Sequence, residues 1–305
     1  MSKPGIRFPH FIAAVTIFAL LAVGQATAAE PIDAADAVRV PDAVRVPDAV
    51  SVTDASDLVA SPAVASTSAA PASATTDSLV ERIVDQVDRL YRSTTSHSRL
   101  EMLIVNPNWE RRLEMEIWTR GMNETFIRIL DPKKDAGIAT LRRGTEMWNF
   151  FPKIDKVMKV PPSMMMGSWM GSDFSNDDLV KESTLIDDYD ARPASAPDGS
   201  PPGFHYVELL PKAQTATVWG RILLAVRADD LLPVTETYFD EKGRAMRRIE
   251  FGEVRDFGGR LMPATMEMVP LHKEGHRTVI RYLEARFGLE LPDDTFGLRN
   301  LRKRR

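Results

Sequence analysis

Apolar residues recur along this chain with two different periods, and the change from one to the other near residue 92 sets its architecture. In SLVERIVDQVDRLY, Leu79, Ile83, Val87 and Leu90, with Val80 and Val84 beside them, return at helical spacing while charges fill the opposite face, and Asp77 stands where a cap belongs. The pattern predicts one amphipathic helix ending near Arg92. After it the period falls to two. RRLEMEIWT sets Leu113, Met115 and Ile117 on one side, ETFIRIL repeats the alternation, and Gly121-Met122-Asn123 supplies the turn between them. Further short runs follow in IATLRR, EMWNFF, KVMKV, FHYVELL, VWGRILLAV, VTETYFD, MRRIEFGEV, LMPATMEMV and TVIRYLEARF. Turn signals such as Arg143-Gly144, Glu241-Lys242-Gly243, Gly258-Gly259 and Glu274-Gly275 punctuate them. Ten or more hairpin-linked strands behind one helix predict a mainly β fold, an antiparallel sheet that curls around something.

One stretch breaks the alternation. PPSMMMGSWMGSDFSNDDL, residues 161–179, is too long for a hairpin connection, and connections of that length usually carry a function or their own structure. Pro161 and Pro162 stop the preceding strand, and Ser163 is placed to cap a short helix. At 100° per residue Met165, Met166, Trp169 and Met170 span about 140° of arc, with glycines and serines opposite. Ser175, with Asp178 three residues on, matches a capping box opening a second helix. Methionine is unbranched and polarizable, so the segment reads either as a lid with a compliant apolar underside or as a plug for the sheet's own core.

The N-terminus belongs to neither pattern. Lys3 and Arg7 precede an apolar run of thirteen residues, Phe11 to Val23, and Ala26-Thr27-Ala28 offers a cleavage site. A spanning helix needs about 20 residues, so residues 1–28 read as a signal peptide rather than an anchor. Residues 29–76, with the repeat DAVRVPDAVRVPDAV and then alanine, proline, serine and threonine, hold too little apolar bulk to fold and read as a flexible linker. The folded domain is then residues 77–305, with no stable membrane anchor and a periplasmic, soluble destination.

Charge and chemistry narrow the function. The formal charge of −4 becomes −6 once Lys3 and Arg7 are removed, which argues against nucleic acid as a partner, and the basic ending Arg299, Arg302, Lys303, Arg304, Arg305 reads as a frayed, solvated terminus. The chain has no cysteine, so neither a disulfide framework nor a lipobox is available. His272 and His276 flank a hairpin turn rather than share a helical face, His97 and His205 are isolated, and the acidic run from Asp173 to Asp190 lacks the glycine and glutamate of a calcium loop. No nucleophile elbow or phosphate loop is present, so no metal, cofactor or catalytic residue is expected and the chain does not read as an enzyme.

The wording of NPNWERRLEMEIWTRG, of DPKKDAGIATLRRGTEMWNFFPKIDKVMKVPPSMMMGSWMGSDFSNDDLV, of DDYD and of FGLRNLRK resembles the outer-membrane lipoprotein-sorting proteins of the LolA-like superfamily, in their larger branch. The resemblance implies an open, strongly curved antiparallel half-barrel closed by helices and holding lipid or lipoprotein acyl chains, with an inner-membrane export system as a partner. The same fold also serves sensor modules that bind membrane regulators, which is the alternative function. The ligand groove expected from these considerations has Trp118, Phe126, Trp148 and Phe150 on its wall and Met165, Met166, Trp169 and Met170 beneath the lid.

Overall fold

A computed structural model describes residues 71–91, 93–180, 185–215 and 217–303. Every described residue belongs to one compact unit. The expected signal peptide and most of the expected linker lie outside the described residues.

Helix α1 (Pro71–Arg89) starts six residues before the expected cap, inside the segment read as linker, so Asp77 lies within the helix. Two antiparallel meanders follow. The first comprises β1 (Thr95–Asn106), β2 (Trp109–Arg120), β3 (Glu124–Asp131), β4 (Ala139–Arg143), β5 (Glu146–Phe151) and β6 (Lys156–Lys159). The second comprises β7 (Tyr189–Ala194), β8 (Phe204–Pro211), β9 (Arg221–Arg227), β10 (Pro233–Phe239), β11 (Ala245–Asp256), β12 (Leu261–Pro270) and β13 (Arg277–Phe287). β1 pairs with β13, which joins the meanders into one 13-stranded sheet with β6 and β7 at its two edges. The alternation predicts the antiparallel sheet, and the result is the open, strongly curved half-barrel that the resemblance implies. Both edges are poor templates for further pairing, because β6 is four residues long with a lysine at each end and β7 carries Pro193.

Two strands escape the sequence pattern. β1 alternates inward-facing Ser96 and Ser98 with no apolar signal before Leu100, and β7 is a short edge strand interrupted by proline. β1 is nonetheless the strand that closes the two halves together.

Cross-strand register separates the sheet into two faces. One, here the inner face, receives α1, whose Val80, Ile83, Val84 and Val87 are buried on Val207, Leu209, Ile222, Leu224 and Val226. At about 2 kcal/mol per buried aliphatic side chain this seam contributes roughly 8 kcal/mol before chain entropy is counted. The outer face of β3 to β5 is covered by the chain's end, where Phe296 and Leu301, on a 3-10 turn and α4 (Leu298–Leu301), pack on Phe126, Leu141 and Phe150. The end expected to fray is therefore docked at least to Leu301, which is fully buried.

Candidate functional site

Because β6 and β7 are opposite edges of the sheet, the connection between them, residues 160–188, has to cross from one side of the molecule to the other. Its described part through residue 180 lies over the inner face as a strap, and α3 (Leu185–Asp188) follows at residues 185–188, where the Leu185 N–H bonds the Asp88 carboxylate and its side chain joins the α1 seam. The long connection noticed in the sequence is thus a consequence of topology.

Its local structure differs from the helix expected. Pro162–Met164 is a 3-10 turn with no side-chain cap from Ser163 or any other residue. Residues 169–172 then form a tight turn in which Ser172 N–H bonds Trp169 C=O at 2.9 Å, with positive φ at Met170 (55°) and Gly171 (83°). Positive φ at both central positions makes it a type I′ turn, closed by a bridge between Ser168 and Ser175. Gly171 adopts that conformation without strain. The second helix forms as expected. In α2 (Asn176–Val180) the Asp178 N–H bonds Ser175 Oγ at 3.1 Å and the Ser175 N–H bonds Asp178 Oδ2 at 2.9 Å, a reciprocal capping box.

The turn lowers Trp169 onto the inner face. The indole is 3% exposed and packs on Leu100, Met102, Leu113, Met115, Ile127 and Ile129 from β1 to β3, flanked by partly buried Met165 and Met170. Its Nε1–H donates to Thr140 Oγ1 at 3.2 Å, and Thr140 in turn donates to Asn149 Oδ1 at 2.7 Å. Met166 does not join this contact and is 60% exposed at the strap's margin.

Polar contacts fix the strap at its borders. Arg111 donates to the Met170 carbonyl at 3.1 Å and pairs with Asp135 at 2.8 Å. The Asp173 N–H bonds Thr278 Oγ1 at 3.0 Å, and that hydroxyl returns a bond to Asp173 Oδ2 at 2.8 Å. Asp178 receives two hydrogen bonds of 3.0 Å from Arg247, whose guanidinium lies over the rings of Trp219 (4.6 Å) and Tyr238 (4.2 Å). Burial alone would raise the Asp178 pKa, but the Arg247 charge and bonds, with those from Ser175, hold it below the usual carboxylate range. Behind Arg247, Tyr238 O–H donates to Glu236 Oε2 at 2.6 Å. Glu236 is pushed the other way, upward, because its burial outweighs the Tyr238 bond and the Arg247 charge.

The residues expected on the groove wall do not share a face with the strap. Trp118, Phe126 and Trp148 lie in one cross-strand row with Leu141, and Phe150 packs beside them, but this row faces outward under the chain's end. Side chains alternate along a strand, so Phe126 and Ile127 point to opposite faces, and only the latter meets Trp169. Trp118 instead stacks on His97 at 4.8 Å. Trp148 lines a polar-rimmed outer cleft of about 590 Å³ with Glu124, Arg143, Glu146 and Leu298. The structure brings Met165, Trp169 and Met170 together on one face and the four aromatic residues together on the other.

A row absent from that expectation continues the inner wall. Phe251, Met266, Ile280, Met102 and Leu113 are successive cross-strand partners on β11, β12, β13, β1 and β2. The last two are buried and touch the strap's cluster, while Phe251, Met266 and Ile280 are partly exposed. The alternation of MRRIEFGEV and LMPATMEMV carried the signal for the first two. Nearby, a cleft of about 150 Å³ opens between the strap and β11–β12, lined by Met166, Trp219, Met246, Met268 and Pro270 with Arg247 and Asp178. Among the described residues no cluster of three or more His, Asp, Glu or Cys side chains is arranged to hold a metal ion, and no helix is long and apolar enough to cross a membrane.

Comparison with known proteins places this geometry. The model of a family described as "Uncharacterized protein" matches residues 121–303. No curated protein matches the sequence. Among solved structures, a DUF1329 family protein from Desulfovibrio piger superposes with a TM-score of 0.64 at 23% identity, covering 74% of this chain and 99% of its own. A putative outer membrane lipoprotein-sorting protein domain from Vibrio parahaemolyticus gives 0.63 at 17% identity, covering 75% and 99%. A LolA superfamily protein from Nitrosomonas europaea gives 0.58 at 18%, covering 72% and 98%. At these identities the likeness is one of fold.

Proposed function

Because the chain belongs to the uncharacterized-protein family matched over residues 121–303 and has the fold of LolA superfamily proteins, we propose that it is a periplasmic carrier that holds a lipid acyl chain, free or on a lipoprotein, on the inner face beneath the strap. The observation that carries this reading is the position of Trp169. A single indole, on a segment with little regular structure, covers a wall of aliphatic side chains that continues past it into the partly exposed row of Phe251, Met266 and Ile280.

The energetics favour exchange. Ten methylenes buried against this wall contribute about 8 kcal/mol, to be set against about 3 kcal/mol for uncovering one large apolar side chain plus the border contacts of Arg111, Thr278 and Arg247 that open with the strap. The cleft of about 150 Å³ is smaller than the roughly 300–1,000 Å³ of small-molecule sites, so binding requires the strap to lift. No covalent step is needed, and the cargo leaves as it arrived. Delivery to or from an inner-membrane export system would complete the cycle. Mass spectrometry of lipids extracted from natively purified protein tests the reading. Acyl-containing molecules in near-stoichiometric amount support it, and protein that is clean and also ignores a fluorescent fatty acid sinks it.

A further inference from the structure

In an antiparallel meander the turns alternate between the two ends of the strands, and the sequence distributes charge unevenly between them. At one end lie the β1–β2, β3–β4, β5–β6, β8–β9, β10–β11 and β12–β13 turns; at the other lie the remaining turns and the exit from β13. The first set carries exposed Lys133, Lys134, Lys153, Lys242 and Lys273, whereas the turns of the second carry Asp198, Asp229 and Asp230 with Arg260 as their cation, and the segment leaving β13 adds Arg299, Arg302 and Lys303 farther on. The lysine-bearing end is one continuous rim. Pro152 lies beside Gly137, Pro107 beside Gly275 and Trp109 beside Gly171 of the strap, and Val218, His272 and Lys273 line the same small cleft.

Apolar side chains project from these same tips. Trp109 is 44% exposed, Ile154, beside Lys153, 57%, and Leu271, two residues from Lys273, 41%. Acidic residues share the rim: Asp135 is engaged by Arg111 and Asp240 by Arg244, while Asp155, Glu241 and Glu274 are exposed beside Lys153, Lys242 and Lys273 and leave Lys133 and Lys134 as the least compensated pair. Single apolar residues flanked by lysines, spread along a rim rather than gathered in a pocket, suit a surface of acyl chains under anionic headgroups better than a peptide.

We propose that this rim docks the protein reversibly on an anionic lipid surface, with Trp109, Ile154 and Leu271 entering the headgroup layer and the margin of the strap, at Met166, turned toward the membrane. The inference concerns a surface distinct from the inner face and does not depend on the carrier reading.

Flotation of the full chain with vesicles of phosphatidylcholine alone or with 30% phosphatidylglycerol tests it, using Lys133→Glu/Lys134→Glu/Lys153→Glu and Trp109→Phe as variants. The proposal expects binding only to the anionic vesicles, a loss of about 100-fold or more in the triple variant, and quenching of tryptophan fluorescence by brominated lipid that disappears in Trp109→Phe. Equal binding to both vesicles, unchanged binding of the triple variant, or capture of a protein at this rim without vesicle binding would each overturn it. Fatty-acid probe binding in membrane-free solution stays as in the parent for the triple variant, so failure of the carrier reading and failure of this one are read separately.

Discussion

Asp178 and Arg247 join the strap to the sheet through a bidentate ion pair, with both hydrogen bonds at 3.0 Å and the guanidinium stacked against Trp219 and Tyr238. The same carboxylate caps α2 through Ser175. One side chain therefore sets both the strap's local fold and its attachment.

Arg247→Met leaves that carboxylate buried without its counter-charge, which costs about 3–5 kcal/mol, and adding Asp178→Asn recovers part of the loss. Thermal melting measures the cost. Amide exchange localises it, with residues 162–180 losing protection before β1 to β3 do.

The pair also has a pH signature. Asp178 is depressed in the folded state, so its contribution is complete above the unfolded carboxylate value near 4 and disappears as the pH falls through the lower folded value. Glu236 is raised, so its contribution runs the other way, present in acid and lost as the pH climbs from about 4 through the folded value. Glu236→Gln keeps an acceptor for Tyr238 and should remove the second slope while leaving the first. A melting profile from pH 3 to 8 that is identical in parent and variant would contradict this assignment.

Trp169 separates a plug from an ordinary core residue. Trp169→Ala removes the group an acyl chain must displace and should tighten a fatty-acid probe by about 10–100-fold while lowering stability by about 3–5 kcal/mol. Trp169→Asp puts a charge on the aliphatic wall and should weaken the probe. If neither affinity moves, the strap does not touch the ligand.

Phe126→Ala, on the outer face, should cost about 3–5 kcal/mol and leave probe affinity within twofold, because Phe126 packs on Phe296 and Leu301 rather than under Trp169. A tenfold loss of affinity without unfolding would return the outer aromatic row to the site.

How much of this was legible in the sequence depends on what each residue had to signal. Strands with apolar residues on alternate positions, such as β2 and β12, declared themselves, and Ser175 with Asp178 declared the second helix. β1 did so less clearly, because Ser96 and Ser98 occupy its first two inward positions and the apolar alternation starts only at Leu100. The strap was visible as an interruption, but its conformation was not: helical projection of Met165 to Met170 gave a plausible stripe, whereas the positive φ of Met170 and Gly171 depends on where the strap must reverse to seat Trp169. That the aromatic row lies opposite the strap was illegible for a simpler reason. Phe126 and Ile127 differ by one position and by an entire face, and neither size nor aromaticity tells which is inward.

The central claim, that a ligand reaches the inner face only when the strap lifts, is tested most directly by locking it. The chain contains no cysteine, and Asp173 and Thr278 already meet across the strap and β13, so Asp173→Cys/Thr278→Cys introduces one reversible clasp on a clean background. Fatty-acid probe titrations of the same sample, oxidised and then reduced, give the answer. The account predicts little or no binding when oxidised and recovery on reduction; equal binding in both states, with the disulfide verified by mass, would contradict it.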